Sequence, residues 1–338
     1  MPEIKHNISL KNYNTFGIDI KAKNFISVNT VNDLEEVLKL QQYPEKFVLG
    51  GGSNVLLTKN VDALVIHINI KGIELISETN THVLIKAKAG ENWHEFVLWT
   101  LKQNYGGLEN LSLIPGNVGT APIQNIGAYG VELKDSFHEC DVINIKTQDK
   151  HKFSLKECHF GYRDSIFKNK ERGKYIITSV TFKLTKNNHH FNTSYGAIQE
   201  RLNELGITNP TLKDISNAVI SIRKSKLPDP KEIGNSGSFF KNPVISKNVF
   251  KDIVNQFPNA PHYILNDSEI KLPAGWLIEQ CGYKGKRYGD AGVHEKQALV
   301  LVNYGNATGK EIIELAEKIQ KSVKEKFNIH IEPEVNII

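Results

Sequence analysis

Apolar residues along this chain recur with helical spacing in some stretches and cluster into short β-branched runs in others. Val31, Leu34 and Leu38 share one helical face, which predicts a helix over 30–42 with Thr30 as N-cap and Asp33 complementing the helix dipole. Phe47-Val48-Leu49 predicts a short strand, with further strands over 64–70 and 82–89. The segment 91–103 reads as a helix that turns Trp93, Phe96, Val97 and Leu101 inward, and 175–184 as a strong strand. Helical patterns follow over 197–205 and 214–224. A further helix is expected over 246–257, capped by Ser246, with Phe250, Ile253, Val254 and Phe257 on its apolar side. Another spans 274–281, stopped by Gly282. After a short buried strand over 298–302, Thr308-Gly309-Lys310-Glu311 forms a capping box that opens a helix to about Phe327. A last strand over 329–337 closes the chain. The mixture alternates irregularly, so it predicts an α+β fold and not a doubly wound sheet.

Two stretches interrupt these patterns. Residues 105–130, rich in Gly, Pro and Asn, have no clean period, and a structureless loop of that length is usually functional. Leu227-Pro228-Asp229-Pro230 breaks the chain sharply and marks a domain boundary. Composition changes this picture little. The 338 residues are 40% hydrophobic and 23% charged, as in ordinary globular proteins, and the length suggests two or three domains. A net charge of +5 spread along the chain lacks the clustered basic stripe of a nucleic-acid binder and is compatible with an anionic substrate. Three cysteines, Cys140, Cys158 and Cys281, with no C-x-x-C, read as buried or inert thiols in a reducing compartment. The N-terminus carries no signal-like apolar stretch and no long apolar run spans a membrane, so the expectation is a cytoplasmic protein. Monomer is the simplest reading.

The strand at 47–49 runs into Gly50-Gly51-Gly52-Ser53-Asn54, whose backbone amides are unobstructed by side chains. Such a turn can cradle a phosphate or simply be tight; it matches neither Walker A nor G-x-G-x-x-G. A second glycine-rich stretch favours the cradle. Pro115-Gly116-Asn117-Val118-Gly119 and Gly127-Ala128-Tyr129-Gly130 bracket Gln124 and Asn125, so that backbone amides could face a large flat ligand. Two such loops without a Rossmann fingerprint suggest a different dinucleotide fold. Asp290 and His294 stand four apart but lack an H-E-x-x-H frame, and no metal site is expected.

These residues belong to an ordered set. Asn14 to Gly17, Leu49 to Asn54, Ile114 to Gly130, Gly161-Tyr162-Arg163-Asp164-Ser165, Lys226 to Pro230, Gly234 to Pro243, Ala274 to Glu279, His294 to Leu301 and Glu332 to Val335 follow one another along nearly the whole chain. Together they resemble the UDP-N-acetylenolpyruvoylglucosamine reductase family. Ser194-Tyr195-Gly196 and the stretch around Tyr263 resemble its longer subclass. The resemblance implies an FAD-binding fold of the vanillyl-alcohol-oxidase (PCMH) type with an added α+β substrate domain. It implies FAD-binding subdomains over 1–70 and 71–227, a substrate domain over 228–328, and a returning strand over 329–338 that rejoins the second subdomain.

The activity implied is NADPH-dependent reduction of UDP-N-acetylglucosamine enolpyruvate through FAD; the alternative is an FAD oxidase of the same fold acting on another substrate. Ser238 is then the proton donor and Arg163 the planar cation that holds a developing enolate. Glu334 must carry a proton to assist, so a raised pKa is expected. The cofactor contacts implied are Gly50, Gly51, Gly52, Ser53, Asn54, Pro115, Gly116, Gly119, Gln124, Asn125, Gly127, Ala128 and Tyr129. Tyr195, Lys226, Asn242, Tyr263 and Gln297 resemble contacts to the nucleotide sugar, whereas Phe239 and Phe240 read as core.

Overall fold

A computed structural model describes residues 2–194 and 196–338. The chain divides into two compact units. The first comprises the N-terminal residues through Ile8, Ala22–Gly51 and Val61–Ser225; the second comprises Ser9–Lys21, Gly52–Asn60 and Lys226–Ile338. The helices are α1 (Val31–Leu38), α2 (Trp93–Lys102), α3 (Gly196–Glu204), α4 (Leu212–Lys226), α5 (Lys247–Gln256), α6 (Ala274–Gln280) and α7 (Gly309–Phe327).

In the first unit, a four-stranded sheet takes the order Lys5–Ser9, Lys21–Val28, Val61–Ile68, Lys46–Leu49. The last three strands run parallel. Ile26, Val28, Leu64 and Ile66 bury against Leu34, Val37 and Leu38 of α1. A five-stranded antiparallel sheet takes the order Lys150–Ser154, Phe137–Asn144, Tyr175–Thr185, His82–Lys88, Ile73–Glu78. Alternation divides its faces. Val83, Ile85, Cys140, Val142, Val180 and Phe182 form a core with Trp93, Phe96 and Val97 of α2. Among the intervening residues, Lys86 pairs with Asp141 at 2.8 Å, and Ser179 donates to the same carboxylate at 2.5 Å. Helices α3 and α4 pack through Ile198, Leu202, Ile215 and Val219, with Tyr129 against them.

In the second unit, an antiparallel sheet takes the order Gly234–Ser238, Val300–Asn303, Ala291–Val293, Arg287–Tyr288. The apolar face of α7 buries Ile312, Leu315, Ile319 and Val323. A smaller sheet takes the order Val244–Ser246, Glu269–Lys271, Tyr263–Ile264.

The capping signals form as read. Thr308 and Glu311 close a reciprocal capping box on α7, Thr30 and Asp33 do the same on α1, and Ser246 caps α5. Four details differ from the sequence expectations. Helix α1 ends at Leu38, short of 42, with its last turn tightened by Lys39 N–H donating to Glu36. In α2 it is Thr100 that is fully buried, its hydroxyl donating to Val97 C=O, while Leu101 is half-buried. The loop 105–130 contains 3-10 helices at Glu109–Leu111 and Val118–Gln124. The closing segment forms a ladder only at Asn336–Ile337, which pairs in parallel with Val55–Leu56. Pro333 has no N–H to donate, and the segment before it is held by single contacts to 239–241.

Candidate active site

The first unit carries most of the predicted cofactor residues, and its two glycine stretches lie against each other. A Cβ built on Gly50 would lie 2.5 Å from Thr120 Cγ2, and one on Gly51 would lie 2.7 Å from Asn117 Oδ1 and 3.0 Å from Gly116 Cα. Glycine is what lets the chains approach this closely. Gly119 is equally constrained: its Cβ would lie 2.4 Å from that of Ala89, and its N–H donates to Ala89 C=O at 2.9 Å. The amides of Gly51 and Gly52 make no hydrogen bond with the described residues, leaving two donors for a ligand. Pro115 and Gly116 precede the 3-10 helix, Gln124 ends it, and Gly127-Ala128 form a small hairpin with Val131-Glu132.

Asn125 is buried in a left-handed conformation, and its side chain is engaged within the protein. Its Nδ2 donates to Glu132 and to Gly161 C=O, both at 3.0 Å, and its Oδ1 accepts from Lys134 N–H. It therefore shapes the loop with its side chain and offers its backbone to what lies beside it.

What lies beside it is Arg163. This residue is left-handed at φ 53°, a strained conformation for a long side chain, within a turn closed by Gly161 and Asp164. Its guanidinium donates to the carbonyl oxygen of Gly127 at 2.5 Å and reaches that of Asn125 at 3.5 Å. A Cβ on Gly127 would lie 3.0 Å from Nη1, so glycine there admits the guanidinium. The neighbouring Asp164 accepts instead from Asn169 at 2.9 and 3.0 Å.

The sequence reading missed Arg223 on α4. Its Nε is enclosed without a hydrogen-bond partner, and no carboxylate among the described residues pairs with it. Burial first, and then the nearby Arg163, pull its pKa down, while the phenol of Tyr129 acts in the opposite direction. A guanidinium keeps its proton regardless, so a second positive charge stands near Arg163. Its only sequence signal was a basic residue inside a helical pattern, which is ordinarily a solvated face.

In the second unit, Ser238 ends the first sheet strand opposite Val300, past an irregularity in register between Asn235 and Ser238. Gly237, at φ 71°, makes this bulge possible, and its N–H donates to Asn235 Oδ1 at 3.0 Å. Phe239 and Phe240 are fully buried, as core residues should be. The carbonyl of Phe239 accepts from Glu334 N–H at 2.8 Å. Ser238 and Glu334, distant in sequence, therefore lie on adjoining segments. Asn54 joins them: its Nδ2 donates to Glu334 C=O at 3.4 Å and its carbonyl accepts from Asn336 N–H at 3.1 Å.

Asn242 and Gln297 meet at the start of α6. Asn242 Oδ1 accepts from Ala274 N–H at 2.9 Å, and a Cβ on Gly275 would lie 2.9 Å from Gln297 Oε1. Gln297 Oε1 also accepts from Leu299 N–H at 3.3 Å. Tyr263 is 46% exposed, with Lys271 over its ring, and Lys226 is exposed at the end of α4. Tyr195 lies outside the described residues. His294 is buried with its Nδ1 facing Lys296 N–H, and no metal-ligating group exists among the described residues. Cys140 and Cys158 are buried and Cys281 is half-buried, all as free thiols; the hydrogen bond that the Cys140 thiol donates to Cys158, then burial, push the Cys140 thiol up, away from reactivity.

Comparison with known proteins places the chain in a family. An FAD-binding-domain family model matches residues 22–147, and a model of the UDP-N-acetylenolpyruvoylglucosamine reductase C-terminal domain matches 229–338. The UDP-N-acetylenolpyruvoylglucosamine reductase of Flavobacterium johnsoniae is 61% identical over 336 residues, covering 99% of this chain and 100% of its own. That of Pseudomonas putida is 50% identical, covering 98% and 97%. The crystal structure of the reductase from Thermus caldophilus superposes with a TM-score of 0.70 at 24% identity, covering 100% of this chain and 99% of its own, a likeness of fold. The resemblance carried by the ordered motifs is thereby borne out, and the chain belongs to the UDP-N-acetylenolpyruvoylglucosamine reductase family.

Proposed function

We propose that this protein reduces the enolpyruvyl double bond of UDP-N-acetylglucosamine enolpyruvate to the lactyl ether of UDP-N-acetylmuramate, using NADPH and FAD, in peptidoglycan precursor synthesis. The observation that carries this reading is the placement of Ser238 and Glu334 on adjoining segments of one unit, in a chain of this family. We assign it to the cytoplasm as a monomer; no helix among the described residues is long and apolar enough to cross a membrane.

The residues present fit a dinucleotide. Gly51 and Gly52 offer amides that make no hydrogen bond with the described residues, substitution of the loop glycines would fill the space between chain segments, and the enclosed Arg223 Nε has no hydrogen-bond partner among the described residues. Ser53 and Asn54 extend the first loop, and Gly116, Gly119, Gln124 and Tyr129 the second. Bound FAD would supply hydride transfer from NADPH to the substrate.

The substrate's carboxylate decides the rest. Hydride must reach the terminal carbon of the vinyl ether, because only then can the negative charge on the adjacent carbon spread into the carboxylate as an enolate. Arg163 is held in a fixed direction by the Gly127 and Asn125 carbonyls, and we assign it to that carboxylate. Ser238 gives its hydroxyl proton to the enolate carbon, and a protonated Glu334 shares the remaining charge. The Asn242 and Gln297 side-chain oxygens already accept backbone amides, so their NH2 groups are the parts we assign as donors to sugar or phosphate oxygens. Lys226 supplies a point charge for phosphate, and Tyr195 and Tyr263 aromatic surface. The product, isolated after turnover, should carry two more hydrogens than the substrate. In D2O, deuterium should appear at the carbon bearing the carboxylate; protium there would contradict a solvent-exchangeable hydroxyl donor.

Arg223→Met should separate stability from function. Removing a charge whose enclosed Nε has no hydrogen-bond partner among the described residues relieves a desolvation cost on the order of several kcal/mol, so the apoprotein should melt a few degrees higher. Losing the second positive charge should lower kcat/KM by about 100-fold, or about 3 kcal/mol. A variant that melts lower and turns over normally would show that Arg223 is structural.

A further inference from the structure

The cofactor loop is fastened to the start of α2 at several points. Trp93 N–H donates to Gly116 C=O at 2.9 Å, Val118 N–H donates to Glu91 C=O at 2.8 Å, and the Trp93 indole N–H donates to Leu111 C=O at 2.9 Å. Between them, Leu113 N–H donates to His94 Nδ1 at 3.0 Å. Leu113 is left-handed at φ 60°, a conformation that a leucine holds only when its surroundings impose it. Of these four fastenings, only the His94 bond can be undone by a proton.

Nδ1 accepts only while it carries a lone pair, that is, in the neutral ring with its hydrogen on Nε2. The charged groups acting on the ring are Glu95 on α2, and Arg223 and Lys224 on α4; residues 111–118 of the loop contain no titratable side chain. Burial chiefly holds the imidazole pKa below its ordinary value; Glu95 opposes this, and the two cations add to it. The acceptor is therefore intact at neutral pH and is lost as pH falls through that lowered value.

We propose that His94 is a positioning residue for the cofactor: its neutral imidazole holds Leu113 in the left-handed conformation and so sets the Pro115–Gly119 turn against Gly50 and Gly51, and protonation loosens FAD. The inference rests on the reading that this turn carries FAD. It goes beyond the chemistry assigned to Ser238, Arg163 and Glu334, because His94 acts through the backbone and touches no reacting atom.

The test measures FAD affinity of the full chain from pH 8 to pH 5, together with hydrogen exchange at the Leu113 amide, in wild type, His94→Asn and His94→Phe. Asparagine places its amide oxygen near the position of Nδ1 and does not titrate; phenylalanine fills the space without an acceptor. Wild type should bind FAD about tenfold more weakly at pH 5 than at pH 8, with Leu113 exchange rising in parallel. His94→Asn should bind nearly as wild type does at pH 8 and stay flat with pH. His94→Phe should bind about tenfold more weakly throughout, with a fast-exchanging Leu113. If Leu113 exchange is the same in all three proteins at every pH, the inference about His94 fails. If exchange responds as expected while FAD affinity does not, the bond is real but the turn does not carry FAD, and the cofactor reading fails there instead. A pH dependence of FAD affinity retained in His94→Asn would assign the titration to another group.

Discussion

In Ser238→Ala, NADPH should still bleach the flavin at close to the wild-type rate, while turnover of the enolpyruvyl substrate falls by about 1,000-fold. The two half-reactions demand different things of the protein. Taking up hydride from NADPH requires a held cofactor, and the glycine loops proposed to hold it do not include Ser238. Completing the second half requires a proton at carbon from a fixed donor, and positioned general acids contribute about 10²–10⁴-fold. The expected loss corresponds to about 4 kcal/mol of transition-state stabilisation. Folding should be unaffected, because Ser238 is only half-buried while its neighbours Phe239 and Phe240 carry the packing. Anaerobic stopped-flow reduction followed by steady-state turnover separates the two effects. Turnover within tenfold of wild type would remove Ser238 from the acid role.

Gly52→Ala should yield a protein that no longer retains FAD. Gly52 is left-handed at φ 61°, and an added Cβ would lie 1.9 Å from the Tyr13 carbonyl oxygen and 2.8 Å from Asn14 Cα. The backbone strain alone costs about 1–2 kcal/mol. The overlap cannot be relieved by a rotamer change because both neighbours are main chain, so the turn itself must move. The carbonyl of Gly52 accepts from Thr15 N–H at 3.1 Å, so the displacement would reach Asn14-Thr15 as well. FAD affinity should drop by at least about 100-fold, near 3 kcal/mol. Gly173→Ala is the control: at φ 71° with nothing within 4 Å of its Cβ, it carries strain without overlap. It should lower stability slightly and keep its flavin. Equal flavin content in both variants would show that the Gly52 turn does not hold the cofactor.

Much of the architecture was legible because local chemistry and tertiary structure agree. The caps at Thr30, Ser246 and Thr308 lie one residue before real helices, and Gly282, at φ 77°, does end α6. What escaped the sequence depends on partners distant in the chain. Phe137–Asn144 interleaves His138, Glu139 and Asp141 with apolar residues, and its outward charges make sense only beside Lys86 and Lys152 from other strands. The closing segment looks like a strand by composition, yet Pro333 and single contacts to 239–241 limit its pairing.

The candidate site shows the same division. Glycine turns announce themselves, because few other residues tolerate such approaches. Arg163 and Ser238 were readable only within whole motifs, not as single residues. Arg223 and His94 belong to no motif, since their significance lies in a guanidinium Nε with no hydrogen-bond partner among the described residues and in one bond to a strained leucine.

The central claim is tested most directly by NADPH consumption by the purified, FAD-reconstituted protein under anaerobic conditions, with and without UDP-N-acetylglucosamine enolpyruvate. Sustained consumption only in the presence of the enolpyruvyl compound, with the lactyl ether as product, is the predicted result. A single flavin reduction with no turnover on adding the compound, or consumption that requires oxygen instead, would contradict it.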